Sequence, residues 1–184
     1  MPEEEYLQRE EEMFGDKERI KLKLGDCLDI MPSIPDRSID MILCDLPYGT
    51  TACKWDVVIP FNKYVQIGEK VIYEQEYVFD KMKSGVSYKE ALEDFLSISK
   101  DGLWDNYKRI VKDNGAIVLF GSQPFTSRLV NSNLDMFKYE IIWEKDKASN
   151  FMLAKRQIQK HHENVLVFYK NQCTYGKEVK NDAL

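Results

Sequence analysis

The stretch IDMILCDLPYG, residues 39–49, decides the fold. Its first six residues form a nearly continuous apolar run, which is typical of a strand that is covered on both faces of a sheet. The run ends abruptly at Asp45, and Pro47 stiffens the turn that follows because its ring fixes φ. We therefore predict a buried strand that carries polar groups at its carboxyl end.

Strand and helix patterns alternate on both sides of this stretch. Apolar residues at Ile20, Leu22 and Leu24 alternate with lysines and predict a strand, and a short helix is expected over residues 27–31, stopping near Pro32. Ser87 and Glu90 form a candidate capping box. Further strands are predicted at residues 116–120, 139–143 and 165–169, and further helices at residues 69–83, 87–99, 103–112 (closed by Asn114-Gly115) and 123–131.

This alternation predicts an α/β fold with a doubly wound, largely parallel sheet. Ligands of such sheets lie at the carboxyl ends of the strands. Asp26, Asp45 and the pair Gly121-Ser122 each follow directly on a predicted strand. We therefore expect all of them at one edge of the sheet, where they would form a site.

The composition indicates a soluble globular protein of one domain. The chain has 184 residues, of which 43% are hydrophobic and 31% charged. No apolar run approaches the roughly 20 residues of a membrane-spanning helix, and the acidic N-terminus does not have the pattern of a secretory signal. The cysteines show no paired spacing, so reduced thiols in the cytoplasm are expected and a metal site is not.

The charge is unevenly distributed along the chain. The net charge is −5, and residues 1–20 hold eight acids and three bases. Residues 138–170 instead hold seven lysines or arginines against four acids, together with His161 and His162. A basic segment of this kind can bind a phosphate backbone, but a solvated face of mixed charge explains it equally well.

Asp45-Leu46-Pro47-Tyr48 is the motif that could carry chemistry. The exocyclic amine of a nucleobase is a poor nucleophile because its lone pair is delocalised into the ring. The Asp45 carboxylate and the Leu46 carbonyl could accept hydrogen bonds from that amine, and Tyr48 could stack on a base that has left the duplex. Taken alone, the four residues also fit a simple strand-ending turn.

Segments spread over most of residues 20–170 resemble the β-group of amino DNA methyltransferases, which act on adenine N6 or cytosine N4. In chain order these segments are GDCL (25–28), IPDRSID (34–40), CDLPYGTT (44–51), NGA (114–116), FGSQPF (120–125), FKYE (137–140), WEK (143–145) and HEN (162–164). The resemblance implies a Rossmann-like methyltransferase fold and S-adenosylmethionine as cofactor. It also implies methyl transfer to a flipped base in double-stranded DNA, with adenine N6 favoured by the aspartate that opens the motif.

The resemblance implies a role for each matching residue. Asp45, Leu46, Pro47 and Tyr48 would be catalytic. Asp26 and Cys27, with Asp45, would bind the cofactor, although Asp26 alone reads as a helix cap. Tyr48, Gly121 and Ser122 would shape the target-base pocket, although Ser122 alone reads as an N-cap. Lys155, Arg156 and Lys160 would contact DNA phosphates.

Two departures from the family pattern bear on activity. Leu46 stands where proline is commonest, but the backbone carbonyl is retained. More seriously, neither an Asp-x-Phe-x-Gly-x-Gly loop nor a His-Pro-x-x-Lys-Pro element occurs in the sequence, so the fold is expected to be incomplete at its C-terminal end. The alternatives to an active enzyme are a non-catalytic DNA-binding remnant and one half of a split methyltransferase.

The predicted organisation has three parts. A polar leader covers residues 1–18, a catalytic domain residues 19–170, and a tail residues 171–184. The domain contains a helical insertion at residues 62–102 and a DNA-facing loop at residues 145–160. A restriction-modification role is implied, with no membrane partner, while a second chain that supplies the glycine-rich loop and a homodimer both remain open. His161-His162-Glu163 matches part of a zinc deaminase motif, but the required Pro-Cys-x-x-Cys is absent.

Overall fold

The structure is a computed structural model that describes residues 20–148, 154–156 and 158–173. The predicted leader, part of the predicted DNA-facing loop and most of the predicted tail lie outside the described residues. Within the described part, no helix is long and apolar enough to cross a bilayer.

A four-stranded sheet organises the domain. Its strands are β1 (Ile39–Asp45), β4 (Val111–Gly121), β5 (Phe137–Glu144) and β6 (His162–Phe168), in the spatial order β1-β4-β6-β5. β1 and β4 are parallel, whereas β6 is antiparallel to both of its neighbours. The α/β class is confirmed, and the described sheet is mixed because β6 runs back between β4 and β5.

One face of the sheet is covered by helices α4 (Leu103–Ile110) and α5 (Phe125–Ser132). Their apolar residues pack with alternate residues of β4 and β6 into one hydrophobic core. The residues with almost no exposed surface include Leu103, Trp104, Ile117, Leu119, Phe125, Leu129, Leu166 and Phe168. This core fixes the strand ends that carry the candidate site, because a close-packed interior resists displacement of its elements.

The opposite face of the sheet is open in the described part of the chain. Met41 and Leu43 of β1 are 56% and 59% exposed, and Ile141 and Trp143 of β5 are also exposed. The prediction that β1 is covered on both faces is therefore wrong for the described residues, since helices lie on one side only.

The predicted strand at Ile20–Leu24 is not formed. Leu22 is 94% exposed and Leu24 fully exposed, and the backbone from residue 20 to 24 joins no sheet. The alternating pattern is genuine, but a strand also needs a neighbour for its backbone hydrogen bonds, and no described strand lies beside this segment. The short helix that follows is confirmed as α1 (Cys27–Ile30), continued by a turn of 3-10 helix at Met31–Ser33.

Residues 62–102, the predicted insertion, contain a small unit in which Val78, Ala91 and Phe95 are buried. It contains a hairpin, β2 (Tyr64–Ile67) and β3 (Lys70–Tyr73), followed by α2 (Glu74–Lys83) and α3 (Tyr88–Ile98). The capping box of Ser87 and Glu90 is confirmed. The helix predicted at residues 69–83 is wrong in its first third, because Gly68, at φ +61°, turns the chain into a hairpin.

The ends of the insertion are joined by a pair of backbone hydrogen bonds. The Tyr64 N–H donates to the Lys100 carbonyl at 3.0 Å, and the Lys100 N–H donates to the Tyr64 carbonyl at 2.8 Å. The main chain then enters α4, which ends at Ile110 rather than at residue 112 as predicted. Residues 112–115 bulge within β4, so that Val111 pairs with Ile39 and Ala116 with Met41.

Candidate active site

Asp45 is the last residue of β1 and its side chain is exposed. The Tyr48 hydroxyl donates a hydrogen bond to Asp45 Oδ1 at 2.8 Å, so the first and last residues of the motif are joined directly. Leu46 is buried in the core, whereas Pro47 and Tyr48 are half-buried. Burying Leu46 anchors the motif while the carboxylate stays accessible at the rim.

The Tyr48 ring packs on Phe125, which in turn contacts Phe61. It stacks on Phe125 with ring centroids 4.9 Å apart and an interplanar angle of 26°, and Phe61 meets Phe125 edge-on at 5.9 Å. Burial, and then the hydrogen bond to Asp45, raise the pKa of Tyr48 well above its ordinary value. Tyr48 therefore stays a neutral hydrogen-bond donor, with one ring face occupied by Phe125.

Asp56 fixes the loop that follows the motif. Its carboxylate accepts hydrogen bonds from the backbone N–H groups of Gly49, Thr50 and Thr51 at 2.8, 2.9 and 2.7 Å. These bonds, the one from Gly49 first, lower the pKa of Asp56 to about 2. Sequence reasoning missed Asp56, although an aspartate soon after a glycine-containing turn is a recognisable candidate for this role.

Gly49 has a backbone conformation that suits this loop. Its φ is +67°, and a Cβ placed there would lie 2.7 Å from Val58 Cγ2. Glycine is therefore required on two grounds, the left-handed conformation and the close approach of Val58.

Asp26 and Cys27 lie beside Pro47 of the motif, although the strand predicted before them is not formed. Asp26 Oδ1 accepts a hydrogen bond from the Leu28 N–H at 2.8 Å, so the residue does cap α1. Asp26, Cys27 and Pro47 also line one concavity of about 300 Å³. Desolvation, and then the charge of Asp26, raise the pKa of the Cys27 thiol, which is therefore neutral at neutral pH.

Gly121 and Ser122 lie at the same sheet edge as Asp45. Asp45 pairs with Phe120 across β1 and β4, and Gly121 pairs with Asn164 across β4 and β6. Ser122 makes no side-chain cap of α5, whose N-cap is Pro124, so the N-cap interpretation is wrong. Instead its hydroxyl accepts a hydrogen bond from Lys160 Nζ at 2.7 Å.

Two further charged residues were missed by sequence reasoning. Lys145 and Glu163, from the facing ends of β5 and β6, form a partly buried ion pair. The charge of Glu163 is among the causes that raise the pKa of Tyr48. The antiparallel direction of β6 produces this proximity, because it brings the start of β6 to the edge where β1 and β4 end.

Of the residues predicted to contact DNA, Lys155 and Arg156 are exposed and Lys160 is half-buried beside Ser122. A larger cavity of about 780 Å³ lies between the insertion and helices α4 and α5, with Lys63, Asp105 and Arg128 in its lining. It contains none of the residues predicted for the site, so the smaller concavity at the strand ends is the candidate site.

A family model described as DNA methylase, of the N6/N4 type, matches residues 39–183. The chain belongs to the N6/N4 DNA methylase family. This confirms the resemblance that the sequence motifs carried, over a range that includes the motif at Asp45 and the whole described sheet.

Solved structures of methylases are distant from this chain. It is similar to the PvuII DNA methyltransferase (cytosine-N4-specific), at 14% identity over 82% of this chain and 49% of that one, with a TM-score of 0.43. It is also similar to M1.HpyAVI in its SAM complex, at 15% identity over 88% of this chain and 61% of that one, with a TM-score of 0.43. The chain thus spans about half to three fifths of the length of these relatives, and its membership rests on the family model.

Proposed function

We propose that this N6/N4 methylase chain takes part in methyl transfer from S-adenosylmethionine to the exocyclic amine of a base flipped out of double-stranded DNA. Adenine N6 is favoured over cytosine N4, because an aspartate rather than a serine opens the motif. The observation that carries the proposal is the exposed Asp45 carboxylate at the end of β1, which is held by Tyr48 and lies two residues before Pro47, a residue that lines the concavity together with Asp26.

Asp45 is the acceptor for the target amine. The Tyr48 hydroxyl occupies Oδ1, so we assign Oδ2 to an amine N–H. A hydrogen bond there, with a second to the Leu46 carbonyl, localises the nitrogen lone pair. Tyr48 stacks on the base with the ring face that Phe125 does not cover.

The bound cofactor supplies an activated methyl group on a sulfonium. With the cofactor held beside Asp26, its methyl group would pass to the amine nitrogen as the C–S bond broke, and S-adenosylhomocysteine would be left. The proton lost from nitrogen goes to Asp45 and from there to water. The protein chiefly positions and desolvates the reacting groups.

The residues at the concavity fit the adenosine part of the cofactor. A carboxylate, Asp26, stands ready to accept hydrogen bonds, and Val57, Val58 and Ile59 supply an apolar wall. A volume of about 300 Å³ is at the small end of the range for ligand pockets, so it suits a nucleoside rather than the whole cofactor. Lys155 and Arg156, which are exposed, would contact DNA phosphates. The proposed setting is a cytoplasmic restriction-modification system.

The test is a methylation assay with the isosteric variant Asp45→Asn. The chain is incubated with radiolabelled S-adenosylmethionine and unmethylated DNA, and modified motifs are located by long-read sequencing. We expect the rate to fall by roughly 100-fold or more, the usual cost of losing one transition-state contact. The matched control is Asp40→Asn on the same strand, where an exposed carboxylate pairs with Lys112. Full activity of Asp45→Ala would refute the assignment.

A second candidate, one half of a split methylase, is favoured by the outer edge of β1. No described strand pairs with that edge, and Leu43 beside it is exposed. A second polypeptide would pair with this edge, cover the open sheet face and supply a glycine-rich loop. A half-enzyme should bind adenosine and S-adenosylhomocysteine equally weakly, since nothing would hold the amino-acid part. Binding of S-adenosylhomocysteine that is much tighter than that of adenosine would exclude this candidate.

Whether the chain is a monomer or a homodimer is determined by measuring the mass of the purified protein in solution. A non-catalytic DNA-binding remnant would bind DNA but would bind neither adenosine nor S-adenosylhomocysteine. Reading the coding sequence downstream of codon 184 for a glycine-rich element is the cheapest check of the whole set.

A further inference from the structure

Trp55 is unusually exposed for a tryptophan. Its exposed fraction is 73%, whereas Trp104 in the core is 1% exposed. Tryptophan is highly buried on average, because its large ring gains more than most side chains from leaving water. Trp55 is also one of the residues that line the concavity of Asp26, Cys27 and Pro47. An exposed indole at the rim of a concavity suggests a ligand that covers it.

The loop that carries Trp55 is fastened to the catalytic motif. The neighbouring residue Asp56 is only 7% exposed, and its carboxylate binds the three N–H groups of residues 49–51. Its own N–H donates to the Cys53 carbonyl at 3.0 Å. Residues on both sides of Trp55 are thereby fixed relative to the turn at Tyr48-Gly49.

The concavity offers a planar aromatic ligand three kinds of contact. Trp55 supplies a ring for stacking, Val57 and Val58 supply apolar surface, and Asp26 supplies a carboxylate. Oδ1 of Asp26 accepts the Leu28 N–H, and within the described part of the chain no hydrogen bond reaches its Oδ2. A purine nucleoside matches this set, because its base stacks and its hydroxyl and amine groups donate hydrogen bonds.

We propose that Trp55 is a cofactor-binding residue whose indole stacks on the adenine ring of S-adenosylmethionine, with Asp26 accepting hydrogen bonds from the same nucleoside. The proposal rests on the proposed function, since it takes the methyl donor to be the occupant of the concavity. Stacking of a base on an aromatic side chain is worth about 1–3 kcal/mol, or roughly 5- to 150-fold in affinity. Trp55 thus decides much of the affinity of a shallow nucleoside site.

The experiment titrates the full chain with adenosine and with S-adenosylhomocysteine, by calorimetry and by tryptophan fluorescence. Saturation-transfer NMR with millimolar adenosine covers weak binding. The variants are Trp55→Ala and Trp55→Phe, and the matched control is Trp143→Phe, a half-exposed tryptophan on the open sheet face. Far-UV circular dichroism and thermal unfolding establish that each variant is folded.

We expect the two nucleosides to quench the fluorescence of the wild-type chain and of Trp143→Phe. Trp55→Ala should lose 5- to 150-fold in affinity for both ligands, and Trp55→Phe should lose less because it keeps a ring. Equal affinity of Trp55→Ala and wild type would overturn this inference and leave the proposed function standing. If the wild-type chain binds neither adenosine nor S-adenosylhomocysteine, both this inference and the proposed function are wrong.

A stacking role on DNA is the competing assignment, and it makes a different prediction. Trp55→Ala would then weaken binding of a DNA duplex with an abasic site opposite the target, while the affinity for both nucleosides stayed unchanged. That outcome would also overturn the proposal.

Discussion

The stack of Tyr48 on Phe125 should contribute measurable coupling to stability. The two rings lie 4.9 Å apart at 26°, and a pair in such geometry adds about 0.5–1.5 kcal/mol beyond the area that it buries. Phe125 also meets Phe61 edge-on. Phe125→Leu, which keeps most of the apolar volume, removes both pairs and should therefore cost about 1–3 kcal/mol.

A double-mutant cycle isolates the pair. Tyr48→Leu, Phe125→Leu and the double variant are unfolded in urea and followed by far-UV circular dichroism. With an m value of about 2 kcal/mol/M, a coupling of about 0.5–1.5 kcal/mol places the urea midpoint of the double variant about 0.3–0.8 M above the value that the two single variants predict by addition.

The control is Phe79→Leu, because Phe79 is exposed and its ring contacts Lys83 Nζ, 4.3 Å from the centroid, so stability should fall by no more than about 1 kcal/mol. Additivity of the two site variants within about 0.3 kcal/mol would refute the view that Phe125 positions Tyr48. If the coupling is strong but Phe125→Leu methylates DNA at the wild-type rate, the two rings stabilise the fold and their stacking has no role in catalysis.

Three further predictions concern the loop and the basic segment. The ionised form of Asp56 stabilises the fold fully above about pH 4, and this contribution is lost as the pH falls through its native pKa of about 2. The difference in free energy of unfolding between wild type and Asp56→Asn should therefore narrow from about pH 4 to about pH 2. A difference that stayed constant over this range would contradict the lowered pKa. Gly49→Ala should cost more in thermal unfolding than Gly68→Ala, because both have positive φ but only Gly49 lacks room for a Cβ; equal losses would contradict the close approach. Lys155→Ala and Arg156→Ala should each make the negative slope of log K against log salt concentration for duplex binding shallower by about 0.9. An unchanged slope would show that the residue does not contact a DNA phosphate.

The edge at which the site lies could be predicted from local patterns. An apolar run that ends in Asp45-Leu46-Pro47 specifies both a strand and its termination, and Gly121 ends the next parallel strand in the same way. Because parallel strands end at a common edge, their polar termini meet without further information. Asp26 was expected at this edge because a strand was predicted before it; that strand is not formed, so the position of Asp26 does not follow from the ends of the strands.

The partners that hold the site could not be predicted, because each depends on contacts distant in sequence. Nothing near Tyr48 indicates that it stacks on Phe125. Pairing is likewise a property of the whole sheet, which is why the alternating segment at Ile20–Leu24 gives no strand and why β6 is antiparallel. The hairpin before α2 was missed because Gly68 was not taken as a turn signal.

The pair of backbone hydrogen bonds between Tyr64 and Lys100 has a consequence for the segment that it encloses. Since Tyr64 and Lys100 are hydrogen-bonded to each other, everything between them begins and ends at one point of the molecule. The length of the chain between these two residues can therefore differ without changing the distance between the segments that precede and follow it. Length changes between Tyr64 and Lys100 should therefore leave the ends of β1 and β4, and the candidate site beside them, in place.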